Sequence, residues 1–154
     1  MSKVDVALVD EHFMHGKVAL NLCSTCNSRL IIVVNDDLVN DKTQQGLLEM
    51  AIPDDIKVRY YSIEKAKSKL ISDDKKSSVV IVKNIEDLVE LFQANVSIPK
   101  VLLSSLPHKP GQKELDIGVS VSSGEIESLE EMFNTGTEIF MGTTLDERPK
   151  KLNI

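Results

Sequence analysis

Along the chain, runs of consecutive apolar residues alternate with stretches in which apolar residues recur at helical spacing. Val4-Asp5-Val6-Ala7-Leu8-Val9, Leu30-Ile31-Ile32-Val33-Val34, Lys57 to Ser62, Val79 to Lys83 and Val101-Leu102-Leu103 predict five strands, several rich in β-branched residues. Gly118 to Val121 and Thr137 to Met141 predict two more. Between them, residues 41–51 predict a helix with Leu47, Leu48 and Ala51 in its apolar stripe, Asn40 or Asp41 as its cap and Pro53 beyond its end. Residues 63–71 predict a short helix with Ala66 and Leu70 inward. Asn84 is placed to cap a helix through Leu88, Leu91 and Phe92, and Ser123 to cap one from Glu125 to Phe133. The polar stretch 72–78 reads as a surface loop, and Ser104 to Gln112, with two prolines and a glycine, as a loop or turn. The polar tail 146–154 reads as surface.

Strands that are apolar throughout, rather than alternating, have both faces covered, so the pattern predicts an α/β fold: three layers, α/β/α, around a mainly parallel central sheet. With 154 residues, 42% of them hydrophobic and 27% charged, the chain suits one core, and a single domain over residues 1–154 is expected. The formal net charge of −6 and the lack of tryptophan argue against nucleic acid as a partner, because that binding rests on Lys and Arg neutralising phosphates. No apolar stretch approaches the ~20 residues needed to span a bilayer, and Met1-Ser2-Lys3 leads straight into the first strand, so a cytoplasmic protein is expected. Two cysteines form no disulfide framework. No glycine-rich phosphate loop of the nucleotide-binding types is present.

Within Leu8-Val9-Asp10-Glu11-His12-Phe13-Met14-His15-Gly16-Lys17, His15 falls where the first strand gives way to a helix. Ligands of open parallel sheets bind outside the carboxyl ends of strands, which makes His15 a candidate for chemistry, although position alone equally allows a capping or surface histidine. Asp10 reads as a turn or cap aspartate, and Asp36, Asp37 and Asp41 as loop and cap residues rather than metal ligands. His108 lies in the loop near this end of the sheet. A different class of function comes from His12, His15, Cys23 and Cys26, the ligand types of a structural zinc. Only seven residues separate the pairs, however, against about a dozen in zinc fingers. The Cys23-Ser24-Thr25-Cys26 motif also falls near the end of the first helix, whereas thioredoxin-type redox chemistry uses a helix start.

The stretch that keeps Asp10, His15 and Gly16 resembles the segment Arg-Ile-Asp-x-Arg-Leu-Ile-His-Gly-Gln of the IIB component of the mannose/fructose/sorbose class of the bacterial sugar phosphotransferase system. The resemblance extends over nearly the whole chain, through Arg29 to Asp37 and Asp41, Lys83-Asn84-Ile85-Glu86-Asp87, Val119-Ser120-Val121 and the 146–149 tail. It implies that His15 carries a phosphoryl group, on Nδ1, accepted from a IIA phosphohistidine and passed to a sugar bound by the membrane IIC/IID permease. It further implies phosphate-binding or supporting roles for Asp10, His12, Phe13, Met14, Gly16, Lys17, Ser104 and Ser105. It implies no cofactor, peripheral association with the permease, and compatibility with a homo-oligomer. The chain departs from the family pattern at His12 and Leu8, where the family has arginines, at Lys17 (glutamine), at Leu22 (tryptophan) and at Ser104-Ser105 (two glycines). Arginine offers a permanent charge and a planar fork that histidine lacks, so a noncatalytic or regulatory IIB-like protein with a degenerate phosphate site is the alternative.

Overall fold

The computed structural model describes residues 3–11, 16–71, 77–116 and 118–142. Its strands are β1 (Lys3–Asp10), β2 (Leu30–Val34), β3 (Lys57–Tyr61), β4 (Ser77–Val82), β5 (Lys100–Ser105), β6 (Lys113–Asp116), β7 (Val119–Val121) and β8 (Glu138–Met141). Six of them form one sheet in the order β3-β2-β4-β1-β5-β8, parallel at every pairing. The expected three-layer α/β/α architecture follows from how the strands bury both faces. Val6 and Leu8 of β1 pack with α1 (Gly16–Thr25), α2 (Lys42–Glu49) and a 3-10 turn (Leu38–Asn40) through Val18, Ala19, Leu22, Leu38 and Leu48. Ala7 and Val9 face the other way, toward α3 (Ile63–Lys69), α4 (Ile85–Gln93) and α5 (Ser123–Asn134), through Ala66, Leu88, Leu91, Leu129 and Met132. Full burial of a side chain such as Leu102 contributes about 1.5–3 kcal/mol, so the central strands of this sheet hold both helical layers.

The caps follow the sequence in most places. Asp41 accepts from the Gln44 amide at 3.1 Å, and Asn84 from the Asp87 amide at 2.8 Å. Ser62, expected in the third strand, instead caps α3. Ser122 rather than Ser123 caps α5, because Glu125 three residues on closes a reciprocal capping box with it. In α2 the buried positions are Gln45 and Leu48, while Leu47 is half exposed and Ala51 lies past the helix end. Gln45 is turned inward because its Nε2 donates to the carbonyls of Leu38 and Val39 at 2.8 and 3.2 Å, closing the preceding 3-10 turn.

Two stretches read as loops are partly regular. Ser77 and Ser78 begin β4, with Ser78 fully buried, and residues 72–76 lie outside the described residues. Ser104 and Ser105 complete β5 instead of opening the loop. Beyond it, β6 pairs antiparallel with β7. Lys113-Glu114-Leu115-Asp116 carries one apolar residue, too few for a periodic signal. It is ordered by the ladder and by the exchange between Leu106 and this ribbon: the Leu106 amide donates to Gly118, and the Ser120 amide to Leu106, both at 2.9 Å. Gly118 makes the turn at φ 74°, where a side chain would be strained. The expected tail at 146–154 lies outside the described residues.

Candidate active site

The chain leaves β1 for α1 on one face, whereas β4 and β5, its two neighbours, feed α4 and the β6–β7 ribbon on the other. Loops that part in this way leave a crevice at the carboxyl ends of the strands. A cleft of about 530 Å³ occupies it. Its walls are Glu11 after β1, Asn35, Asp36 and Asp37 after β2, Lys83, Asn84 and Asp87 after β4, and Leu106, Pro107, Lys109 and Gln112 after β5, with Ser120 and Glu125 below.

Side chains at the strand ends fix these loops. Asn35, nearly buried, accepts from the amides of Asp37 and Leu38 at 3.0 and 2.9 Å, and its own amide donates to Tyr61 at 3.0 Å. Asp36 accepts from the Ile63 amide at 2.9 Å, tying the β2 loop to the start of α3. Burial pushes the Asp87 carboxyl up to about 6, with the negative charges of Glu90, Asp36 and Glu86 adding to it and Lys83 opposing. Across the cleft, Gln112 Nε2 donates to Glu125 at 3.4 Å, and His108 Nδ1 stands 3.3 Å from the Ser120 hydroxyl. The Glu11 amide donates to the Ser105 carbonyl at 2.9 Å, and the Glu11 carboxylate lies 3.6 Å from Lys109 Nζ.

Of the residues singled out in the sequence, Asp10 ends β1 fully buried and pairs in register with Ser105. Ser104 is the bulged residue where the β1–β5 register shifts, and both serines are half-buried. Gly16 opens α1, and Lys17 follows in its first turn. His12, Phe13, Met14 and His15 lie outside the described residues, between Glu11 on the cleft wall and the start of α1. Asp36 and Asp41 serve as capping and loop-tying carboxylates. Among the described residues no cluster of three or more His, Cys, Asp or Glu side chains is placed to hold a metal ion. Cys23 is buried on α1 and Cys26 lies just past its end. Burial pushes the Cys23 thiol up to about 11, with Cys26 adding to the rise, and burial also raises Cys26. Thiols held that high are protonated near neutral pH and poor nucleophiles. Glu11 and Lys109 were not legible as a pair, because they are 98 positions apart (109 − 11) and meet only through the β1–β5 pairing.

This is an open parallel α/β sheet with a polar cleft at the carboxyl ends of its central strands. The profile described as PTS system sorbose subfamily IIB component matches residues 4–153, so the chain belongs to that family of sugar phosphotransferase components. It is 24% identical over 142 residues to the N-acetylgalactosamine-specific phosphotransferase enzyme IIB component 2 of Escherichia coli (strain K12), covering 92% of this chain and 90% of that protein. To the sorbose-specific EIIB component of Klebsiella pneumoniae it is 27% identical over 139 residues, 89% of this chain and 85% of that one. The crystal structure of the IIBSor domain of the sorbose permease from Klebsiella pneumoniae superposes with a TM-score of 0.83 at 24% identity, covering 97% of this chain and 93% of that domain, a likeness of fold. The chain is a IIB component, a phosphocarrier of the sugar phosphotransferase system. Among the described residues no helix is long and apolar enough to cross a membrane.

Proposed function

We propose that His15 is the phosphoryl carrier, that the donor is a phosphohistidine of a IIA protein, and that the acceptor is a sugar bound by a IIC/IID permease. The observation that carries this reading is the placement of its flanks: β1 ends at Asp10, Glu11 forms a wall of the cleft, and α1 starts at Gly16. A neutral imidazole nitrogen is a competent nucleophile near pH 7. In the transfer one N–P bond breaks at the donor and one N–P bond forms at His15, so the step exchanges like for like and needs no cofactor. Backbone amides at the start of α1 are groups suited to the phosphoryl oxygens, and the helix dipole there disfavours a protonated imidazole nearby. Partnership with a IIA protein is supported by the E. coli mannose-specific EIIAB component, whose name joins A and B parts and of which this chain matches 43%. Relatives named for N-acetylgalactosamine, sorbose, fructose and mannose support a hexose or amino sugar as the substrate class. The reading places the chain, as one domain over residues 1–154, on the cytoplasmic side of the membrane and at the permease.

The test is intact-mass measurement on wild-type and His15→Ala protein after incubation with phosphoenolpyruvate, the general phosphotransferase proteins and a cognate IIA. The expected result is one acid-labile phosphate on the wild type and none on His15→Ala. Phosphate retained by His15→Ala would overturn the assignment.

A further inference from the structure

A phosphoryl group arriving at this cleft meets an unfavourable field. Its described walls carry five carboxylates, Glu11, Asp36, Asp37, Asp87 and Glu125, against two ammonium groups, Lys83 and Lys109. Position 12, where the family has an arginine, is a histidine here. Lys83 follows β4 in the cleft wall, and its charge is one of those acting on Asp87. Lys109 differs. Its backbone is pinned in a turn in which the Gln112 amide donates to the Lys109 carbonyl at 3.1 Å and the Lys109 amide to Gln112 Oε1 at 3.2 Å, with Gly111 at φ 82°. Its side chain is 63% exposed, and its ammonium lies 3.6 Å from the Glu11 carboxylate. A fixed root with a long flexible stem gives a charge that can change partners without moving the loop.

We propose that Lys109 is the cation of phosphoryl transfer in this chain: it rests on the Glu11 carboxylate and moves to the phosphoryl oxygens when His15 is charged. The proposal rests on the reading of His15 as the carrier. A phosphoryl group near neutral pH brings a charge of about −1.5 to −2 and three acceptor oxygens, so it outcompetes one partly exposed carboxylate for the ammonium. Glu11 lies four residues before His15 in sequence, so the resting pair ties Lys109 to the chain just ahead of the acceptor. Departure of Lys109 from Glu11 and neutralisation of the incoming dianion are then one event.

The experiment measures the rate of phosphate uptake from a phosphorylated IIA protein in wild-type, Lys109→Met, Lys109→Arg and Glu11→Gln chains, with His15→Ala alongside. Lys109→Met is expected to slow uptake at least tenfold, Lys109→Arg to keep most of the rate, and Glu11→Gln, which frees the ammonium, to be faster than wild type. Thermal unfolding should change little, since an exposed ion pair contributes little to stability. Lys109→Met within twofold of wild type would overturn the proposal, as would Glu11→Gln slowed as much as Lys109→Met, which would make the bridge itself the working element. Failure of the His15 reading is seen separately, as phosphate persisting on His15→Ala.

Discussion

The amide of Glu11 donates to the carbonyl of Ser105 at 2.9 Å, one residue past the point where the β1–β5 register shifts and leaves Ser104 out of the ladder. That bond couples the exit of the first strand to the exit of the fifth. It also sets the start of the segment leading to His15 relative to the loop that carries Lys109, so the bulge is a positioning device for the cleft.

Ser104 and Ser105 stand where the family has two glycines. Neither has a positive φ, so the backbone here asks for no glycine. The double variant Ser104→Gly/Ser105→Gly should therefore lose about 1–2 kcal/mol through strand entropy alone. Urea unfolding should show a lower midpoint with an unchanged slope; equal stability would mean that the bulge is strained by its side chains.

Leu8 occupies the other family arginine position, and it is fully buried in the cluster that includes Val18, Ala19 and Leu22 of α1. Restoring the family residue there places an unpaired cation in an apolar layer, and the several kcal/mol this costs exceed what a small domain spares. Leu8→Arg should be recovered mainly aggregated or unfolded by circular dichroism. A well-folded Leu8→Arg protein with faster phosphate uptake would show that the side chain reaches the cleft from this strand.

The thiols offer a check on the zinc and redox readings. With Cys23 buried and its thiol pushed up to about 11, alkylation of native protein at pH 7.5 should be slow at Cys23 and faster at the partly exposed Cys26. Both should react fully in denaturant. Peptide mapping after a timed pulse of iodoacetamide distinguishes them, and rapid modification of Cys23 in the native state would contradict its burial against the sheet.

The layers of the fold were legible because the central strands announce burial on both faces: Leu30 to Val34 and Val79 to Val82 contain no polar residue, and the structure buries all of them. Caps were legible where a single Asx side chain precedes an apolar stripe, as at Asp41 and Asn84. Ser122 and Ser123 are chemically alike as caps, and only the reach of Glu125 back to the Ser122 amide, at 2.8 Å, selects between them. The β6–β7 ribbon was illegible for a different reason, since its order comes from backbone exchange with Leu106 rather than from side-chain periodicity. At the site, the identity of the carrier histidine came from its resemblance to a motif, while the cleft's charge emerged only when the ends of β1, β2, β4 and β5 were brought together.

Asp87 gives the cleft a pH signature. Its carboxyl, at about 3.9 in an unfolded chain, is raised to about 6 in the fold by burial and by Glu90, Asp36 and Glu86. A raised value means that the folded state holds the proton more tightly. The stabilisation this confers is fully present below pH 4 and is lost as pH rises through 6. The dipole at the start of α4 and solvent screening limit the size of the effect without changing its sign. Asp87→Asn keeps the shape and removes the titration, so its melting temperature should nearly match the wild type at pH 4 and exceed it at pH 7. Thermal melts of both proteins at the two pH values provide the measurement, and a difference independent of pH would show that Asp87 titrates as an ordinary surface carboxylate.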